Sequence, residues 1–206
     1  MKNEKFFIND VEYSPKNVLI IAELGTSHGA DPVKAGELIE AAAEAGADCI
    51  KFQIVYAREI LHSNTGEVAL PGGKIRLYDR FRDLELPPSF FADMKEKVEK
   101  KGLLFLCTPF GLQSARELKA LEPKCLKIAS PELNYWALLK EIAGYGLPIL
   151  LSTGVSKLGD IEELFMGHKV NKDVSNRYNH KNKRGQKELL KEARKALEII
   201  DITLFQ

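Results

Sequence analysis

Short, almost wholly apolar runs alternate along this chain with longer stretches whose apolar residues recur at helical spacing. The first run, NVLIIAELG at 17–25, is rich in branched residues and bounded by turn formers, the pattern of a strand buried on both faces. Asp31 and Pro32 then introduce VKAGELIEAAAEAGA, predicting a helix capped by Asp31, begun at Pro32 and ended by Gly46. DCIKFQIV at 48–55 predicts a second strand. A long loop follows, with turn signals at Asn64-Thr65-Gly66 and Pro71-Gly72-Gly73. Pro87-Pro88 opens a helix over SFFADMKEKVEKK, with Phe91, Met94 and Val98 on one face and Gly102 closing it. LLFLCT (103–108) predicts strand three, 112–121 a helix, KCLKIAS (124–130) strand four, 133–143 a helix and LPILLST (147–153) strand five.

Alternating strands and helices with mostly short connections predict a parallel sheet, either a (β/α)8 barrel or an open doubly wound sheet. ELGTSHGAD after the first strand lacks the glycine spacing of a dinucleotide fingerprint, which favours the barrel.

Beyond about residue 163 the pattern breaks. Gly167 to Lys187 carries Lys169, Lys172, Arg177, Lys181, Lys183, Arg184 and Lys187 against one acid, Asp173, with no apolar periodicity. Residues 164–194 therefore read as a basic insertion, mobile or disordered. QKELLKEARKALEII returns to helical spacing and DITLF (201–205) begins a sixth strand. The expected organisation is an α/β chain of five to six βα units, an incomplete (β/α)8 barrel: 1–163 its N-terminal part, 164–194 the insertion, 195–206 the end of helix five and start of strand six.

Composition adds exclusions. The chain has 206 residues, 45% apolar and 29% charged, with a formal net charge of +1, which removes any global electrostatic case for nucleic acid or membrane surfaces. Its three cysteines, Cys49, Cys107 and Cys125, sit inside apolar runs and read as buried thiols of a reducing compartment. With neither a signal-peptide core nor a membrane-length apolar stretch, the expected location is the cytoplasm. The basic insertion lacks interleaved aromatics apart from Tyr178, so a solvated loop is preferred over an RNA-binding one.

Chemistry enters through polar residues inside apolar strands. Lys51 and Gln53 share one face of strand two, opposite Ile50 and Phe52. Helices cover a barrel's outside, so the apolar pair is expected outward and Lys51 and Gln53 inward near the C-terminal mouth. Lys127 repeats this between Leu126 and Ile128. Glu23 ends strand one, Thr108 strand three, and Ser152 and Thr153 strand five, on the face where barrel enzymes carry their chemistry. A buried ammonium costs several kcal/mol in practice without a partner. Two inward lysines therefore imply salt bridges to Glu23 and Glu132 or an anionic ligand, and the anion is the preferred reading. A Schiff-base aldolase on Lys127 or Lys51 is a further option. His28 either touches substrate or is solvated; His62 reads as a surface loop residue; His168 and His180 form no metal pattern. Cys107 reads as packing.

The strings IAELGTSHGADPVKAGELIEAAAEAGADCIKFQ, GLLFLCTPF, LKIASPE and PILLSTGVSKLGDIE resemble the N-acetylneuraminate synthase family, in that family's order and spacing. The resemblance runs from about Asn17 to Glu163 and resumes around Lys195. It implies a (β/α)8 barrel that joins phosphoenolpyruvate to N-acetylmannosamine or a related amino-sugar, releasing phosphate in polysaccharide biosynthesis. By resemblance, Lys51, Thr108, Lys127, Ser130 and Ser152 hold phosphoenolpyruvate, Gln53 and Glu132 contact the amino-sugar, and Glu23 serves in proton transfer. The family also implies a homodimer and a divalent metal, Mn2+ or Mg2+. Its metal-ligand motifs, resembling SDHT and E-K/R-HF, do not occur in this chain, so no metal ligand is assigned and the chain alone is expected to be inactive.

Overall fold

The structure, a computed structural model, describes residues 5–70 and 73–154. The basic stretch 164–194, the segment 195–206 with its expected sixth strand, and His168 and His180 lie outside the described residues.

The chain opens with a feature the strand-and-helix reading missed, an antiparallel hairpin of β1 (Phe6–Ile8) and β2 (Val11–Tyr13). Asn9 and Asp10 turn it with φ of 50° and 65°, the pair of left-handed residues a tight two-residue hairpin needs. Strand β3 (Ile21–Gly25) starts four residues later than the apolar run, and Val18 and Ile20 before it stand exposed. Helix α1 (Pro32–Glu44) follows, with Asp31 Oδ1 accepting from the backbone N–H of Val33 at 2.8 Å and of Lys34 at 3.3 Å. Strand β4 is Cys49–Ile54.

The expected long loop after β4 is instead structured. It holds a short helix α2 (Ala57–Ile60), an antiparallel pair β5 (Glu67–Leu70) and β6 (Gly73–Arg76), and helix α3 (Leu77–Arg82). Turn residues mark reversals; they do not exclude short elements between them. The remaining units keep the expected order: α4 (Pro88–Lys100), β7 (Leu104–Pro109), α5 (Leu112–Ala120), β8 (Leu126–Ile128), a 3-10 turn (Ser130–Asn134), α6 (Trp136–Ala143) and β9 (Ile149–Leu151).

Strands β3, β4 and β7 form one parallel ladder in that order, β8 and β9 pair in parallel, and β8 lies beside β7. The parallel strands thus succeed one another in space as in sequence, with a helix between each strand and the next, the βα repeat of a barrel. No closed barrel forms among the described residues.

Two cores divide the strand faces by the period-two rule. Ile50, Phe52, Phe105, Cys107, Leu126 and Ile128 pack outward against Ile39, Phe91, Met94, Leu118 and Ile142 of the helices. Inward, Cys49, Leu106 and Cys125 pack with Ile8 and Tyr13 of the hairpin, supported by Ile21, Leu104 and Leu150. The hairpin therefore floors the inner face beneath the strands. All three thiols are free and buried, and burial raises each thiol's pKa, so none is a poised thiolate.

Candidate functional site

Above that apolar floor the inner face turns polar, because each strand carries its polar residue two positions after an apolar one. Lys51 follows Cys49, Glu23 follows Ile21, Thr108 follows Leu106, Lys127 follows Cys125 and Ser152 follows Leu150. The ladder aligns Glu23 with Lys51 and Gln53 with Thr108, and Lys127 lies opposite Leu150. Ser130 and Glu132 come from the 3-10 turn just beyond β8. Ser152 is tied to β8 by its backbone N–H, which donates to the Ile128 carbonyl at 3.0 Å. A Cβ added to Gly154 would lie 4.0 Å from Ser130 Oγ, so the loop after β9 closes on the turn after β8.

The charges are asymmetric. The Lys51 side chain is only 7% exposed and makes an ion pair with Glu23, whose side chain is 50% exposed. Of the salt bridges weighed as the alternative to an anionic ligand, the structure contains the one between Lys51 and Glu23. Lys127 makes no ion pair within 4.0 Å among the described residues, and Glu132 likewise has none. Burial, with the Lys51 ammonium adding to it, lowers the Lys127 amine below the ordinary lysine value, against the opposing pull of Glu23 and Glu132. Burial pushes the Glu132 carboxyl up to about 7 despite a backbone hydrogen bond and Lys127.

Among the described residues, two buried polar atoms of this mouth find no hydrogen-bond partner, Thr108 Oγ1 and Glu132 Oε2. Buried polar groups are ordinarily paired, so such atoms point to a missing partner. A third, His28 Nε2, belongs elsewhere. His28 is neither solvated nor in the mouth. Its ring packs 5.0 Å from Phe90 and 6.0 Å from the outward Phe52, and Nδ1 accepts from the Ala30 N–H at 3.2 Å. Burial lowers its pKa, which keeps it neutral. His62 is exposed, as expected of a surface loop residue.

Lys51, Gln53, Thr108 and Lys127 thus stand on adjacent strands of one inner face, with Glu23, Ser130, Glu132 and Ser152 at its rim. Two closely spaced ammonium groups, hydroxyls and an open mouth make a cradle for a small polyanion. The same set does not fit a divalent cation. One carboxylate is engaged by Lys51, the other has its pKa raised to about 7 and so is only partly ionised near neutral pH, and both lysines would repel the ion. No group of three potential ligands gathers among the described residues.

Sequence reasoning missed the contacts that hold the segment after β4. The Tyr56 hydroxyl donates to Glu117 Oε2 at 2.5 Å, the Ala57 N–H to Glu85 Oε1 at 2.8 Å, and Arg58 donates to Gln113. Glu59 reaches the amino end of α5. These partners lie 28 to 61 residues apart in the chain, and the one local trace was Gly111 just before a predicted helix.

No helix among the described residues is long and apolar enough to cross a membrane. Comparison with known proteins agrees with this geometry. The sequence model of the NeuB family matches residues 38–193. The chain is 36% identical to an N,N'-diacetyllegionaminic acid synthase of Campylobacter jejuni over 72% of this chain and 46% of that protein. It is 34% identical to the spore coat polysaccharide biosynthesis protein SpsE of Bacillus subtilis, over 71% and 39%. Among solved structures, a sialic acid synthetase from Leptospira borgpetersenii superposes with a TM-score of 0.69 at 31% identity, covering 79% of this chain and 54% of that one. The chain spans less than half the length of these curated relatives.

Proposed function

The chain belongs to the NeuB family, and from that premise we propose that its polar mouth binds phosphoenolpyruvate for condensation with an amino-sugar to a nonulosonic acid. Its relatives include synthases of sugar acids of this type. The reading rests above all on one observation, the convergence of Lys51 and Lys127 on a mouth where Thr108 Oγ1 and Glu132 Oε2 lack partners. Lys51 and Lys127 neutralise the phosphate and carboxylate of phosphoenolpyruvate, and the hydroxyls of Thr108, Ser130 and Ser152 donate to its oxygens. Gln53 and Glu132 face the sugar, and Glu23 serves as the carboxylate near the reacting carbons.

In the reaction, C3 of phosphoenolpyruvate forms a bond to the aldehyde carbon of the open-chain sugar. Water adds at C2, and the C2–O bond to phosphate breaks. The divalent metal that the family implies finds no ligand set among the described residues. The expected outcome for these 206 residues alone is binding without turnover.

Calorimetric titration tests the reading. Phosphoenolpyruvate is expected to bind, pyruvate to bind far more weakly, and Lys127→Ala to abolish the signal while the protein still unfolds cooperatively. Equal affinity for both ligands would remove the phosphate from the proposal. One observation favours a second reading: the lowered basicity of Lys127 also suits Schiff-base chemistry. Borohydride trapping of pyruvate on Lys127 would support it over the first.

A further inference from the structure

Lys51 and Glu23 are direct neighbours across the β3–β4 ladder and pair with each other at the mouth. Their situations differ. Lys51 is buried and has nowhere to go, whereas the Glu23 side chain is half exposed. A buried ammonium needs an anionic partner continuously, while a half-exposed carboxylate gives up its partner to water at little cost.

The local backbone shows how Glu23 reaches inward. The ladder register shifts between Glu23 and Gly25, and Gly25 has a φ of 51°. A Cβ at Gly25 would lie 3.1 Å from Glu23 Oε1 and 3.7 Å from the Gln53 carboxamide. The carboxylate is therefore folded close over bare backbone, and a side chain at Gly25 would press on it.

We propose that the Lys51–Glu23 ion pair is a latch that the incoming anion opens, so that Glu23 is freed only once phosphoenolpyruvate is seated. This rests on the reading of the mouth as a phosphoenolpyruvate site. An anion between Lys51 and Lys127 supplies Lys51 with its partner and sets negative charge beside Glu23. Repulsion then releases the carboxylate from Lys51 toward the rim, where the aldehyde carbon of the second substrate arrives. Glu23 thus serves first as counter-ion of the empty site and then as a hydrogen-bond acceptor for the sugar. The order of binding follows: anion first, sugar second.

The test turns on a sign. Glu23→Gln removes the competitor for Lys51 and is expected to bind phosphoenolpyruvate about tenfold more tightly than the native chain, the effect of deleting one nearby like charge in a partly solvated site. Glu23→Ser, a second neutral variant, should shift in the same direction, and Lys51→Met should lose binding. Damage to the fold would weaken binding, never tighten it. Native chain that binds while both neutral variants bind equally or more weakly overturns the latch and leaves the binding site standing. Cooperatively folded native and variant chains that all fail to bind overturn the binding reading, and the latch with it.

Discussion

The carboxylate of Glu59 sits at the amino end of α5, where the backbone N–H of Gln113 donates to it at 2.7 Å and that of Ser114 at 3.2 Å. Gly111, the residue before the helix, has no side chain to cap it, so another element supplies the anion. A Cβ at Gly111 would collide with the Glu59 carboxyl group. The contact joins the segment following β4 to the helix following β7, and those two strands carry Lys51, Gln53 and Thr108.

Glu59→Ala is expected to lower stability by about 1 kcal/mol, the usual cost of a lost cap. Gly111→Ala should cost more, because the added methyl collides with Glu59. The double variant should be more stable than the sum of the two predicts, since removing Glu59 removes the collision. Urea unfolding of the four proteins measures this coupling, and strict additivity would refute it.

Gly25→Ala should strain a left-handed backbone position and press on Glu23, costing about 1 kcal/mol. Thermal unfolding reports the strain. Phosphoenolpyruvate titration of the same variant reports whether Glu23 has been displaced from Lys51.

Glu132 makes stability fall with rising pH. The folded chain holds this proton up to about pH 7, whereas the unfolded chain releases it near the ordinary carboxyl value of 4.5. Between these values the folded state binds more protons, so its stability declines across that window and levels off above it. Glu132→Gln should abolish this part of the decline and exceed the native chain in stability at pH 8. Urea midpoints of both proteins at pH 5 and pH 8 give the comparison.

Lys127 should react with a small amine reagent at lower pH than fully solvated lysines do, because burial and Lys51 disfavour its charged form. Peptide mass spectrometry across a pH series reads the titration. Phosphoenolpyruvate is expected to slow the labelling of Lys127 and to leave that of Lys100, on the far surface of α4, unchanged.

The βα order and the inward direction of Lys51, Gln53 and Lys127 were legible in the sequence. Both depend on short-range periodicity: a strand shows its faces every second residue, and a helix its buried stripe at every third or fourth. The apolar partners Ile50, Phe52, Leu126 and Ile128 reach the outer core as the pattern requires. The hairpin of Phe6–Ile8 with Val11–Tyr13 was missed because a two-residue turn and three-residue strands carry little periodicity.

Sequence by itself thus determined which side chains enter the mouth, while the tertiary structure decided what each one meets there. The register of β3 on β4 joined Lys51 to Glu23 and left Lys127 without an ion-pair partner among the described residues. Packing of one βα loop on the next brought Glu59 to α5 and buried His28 against Phe90. Such pairings join residues tens of positions apart, and their geometry is set by how strands align and helices pack, which no local pattern of polar and apolar residues encodes.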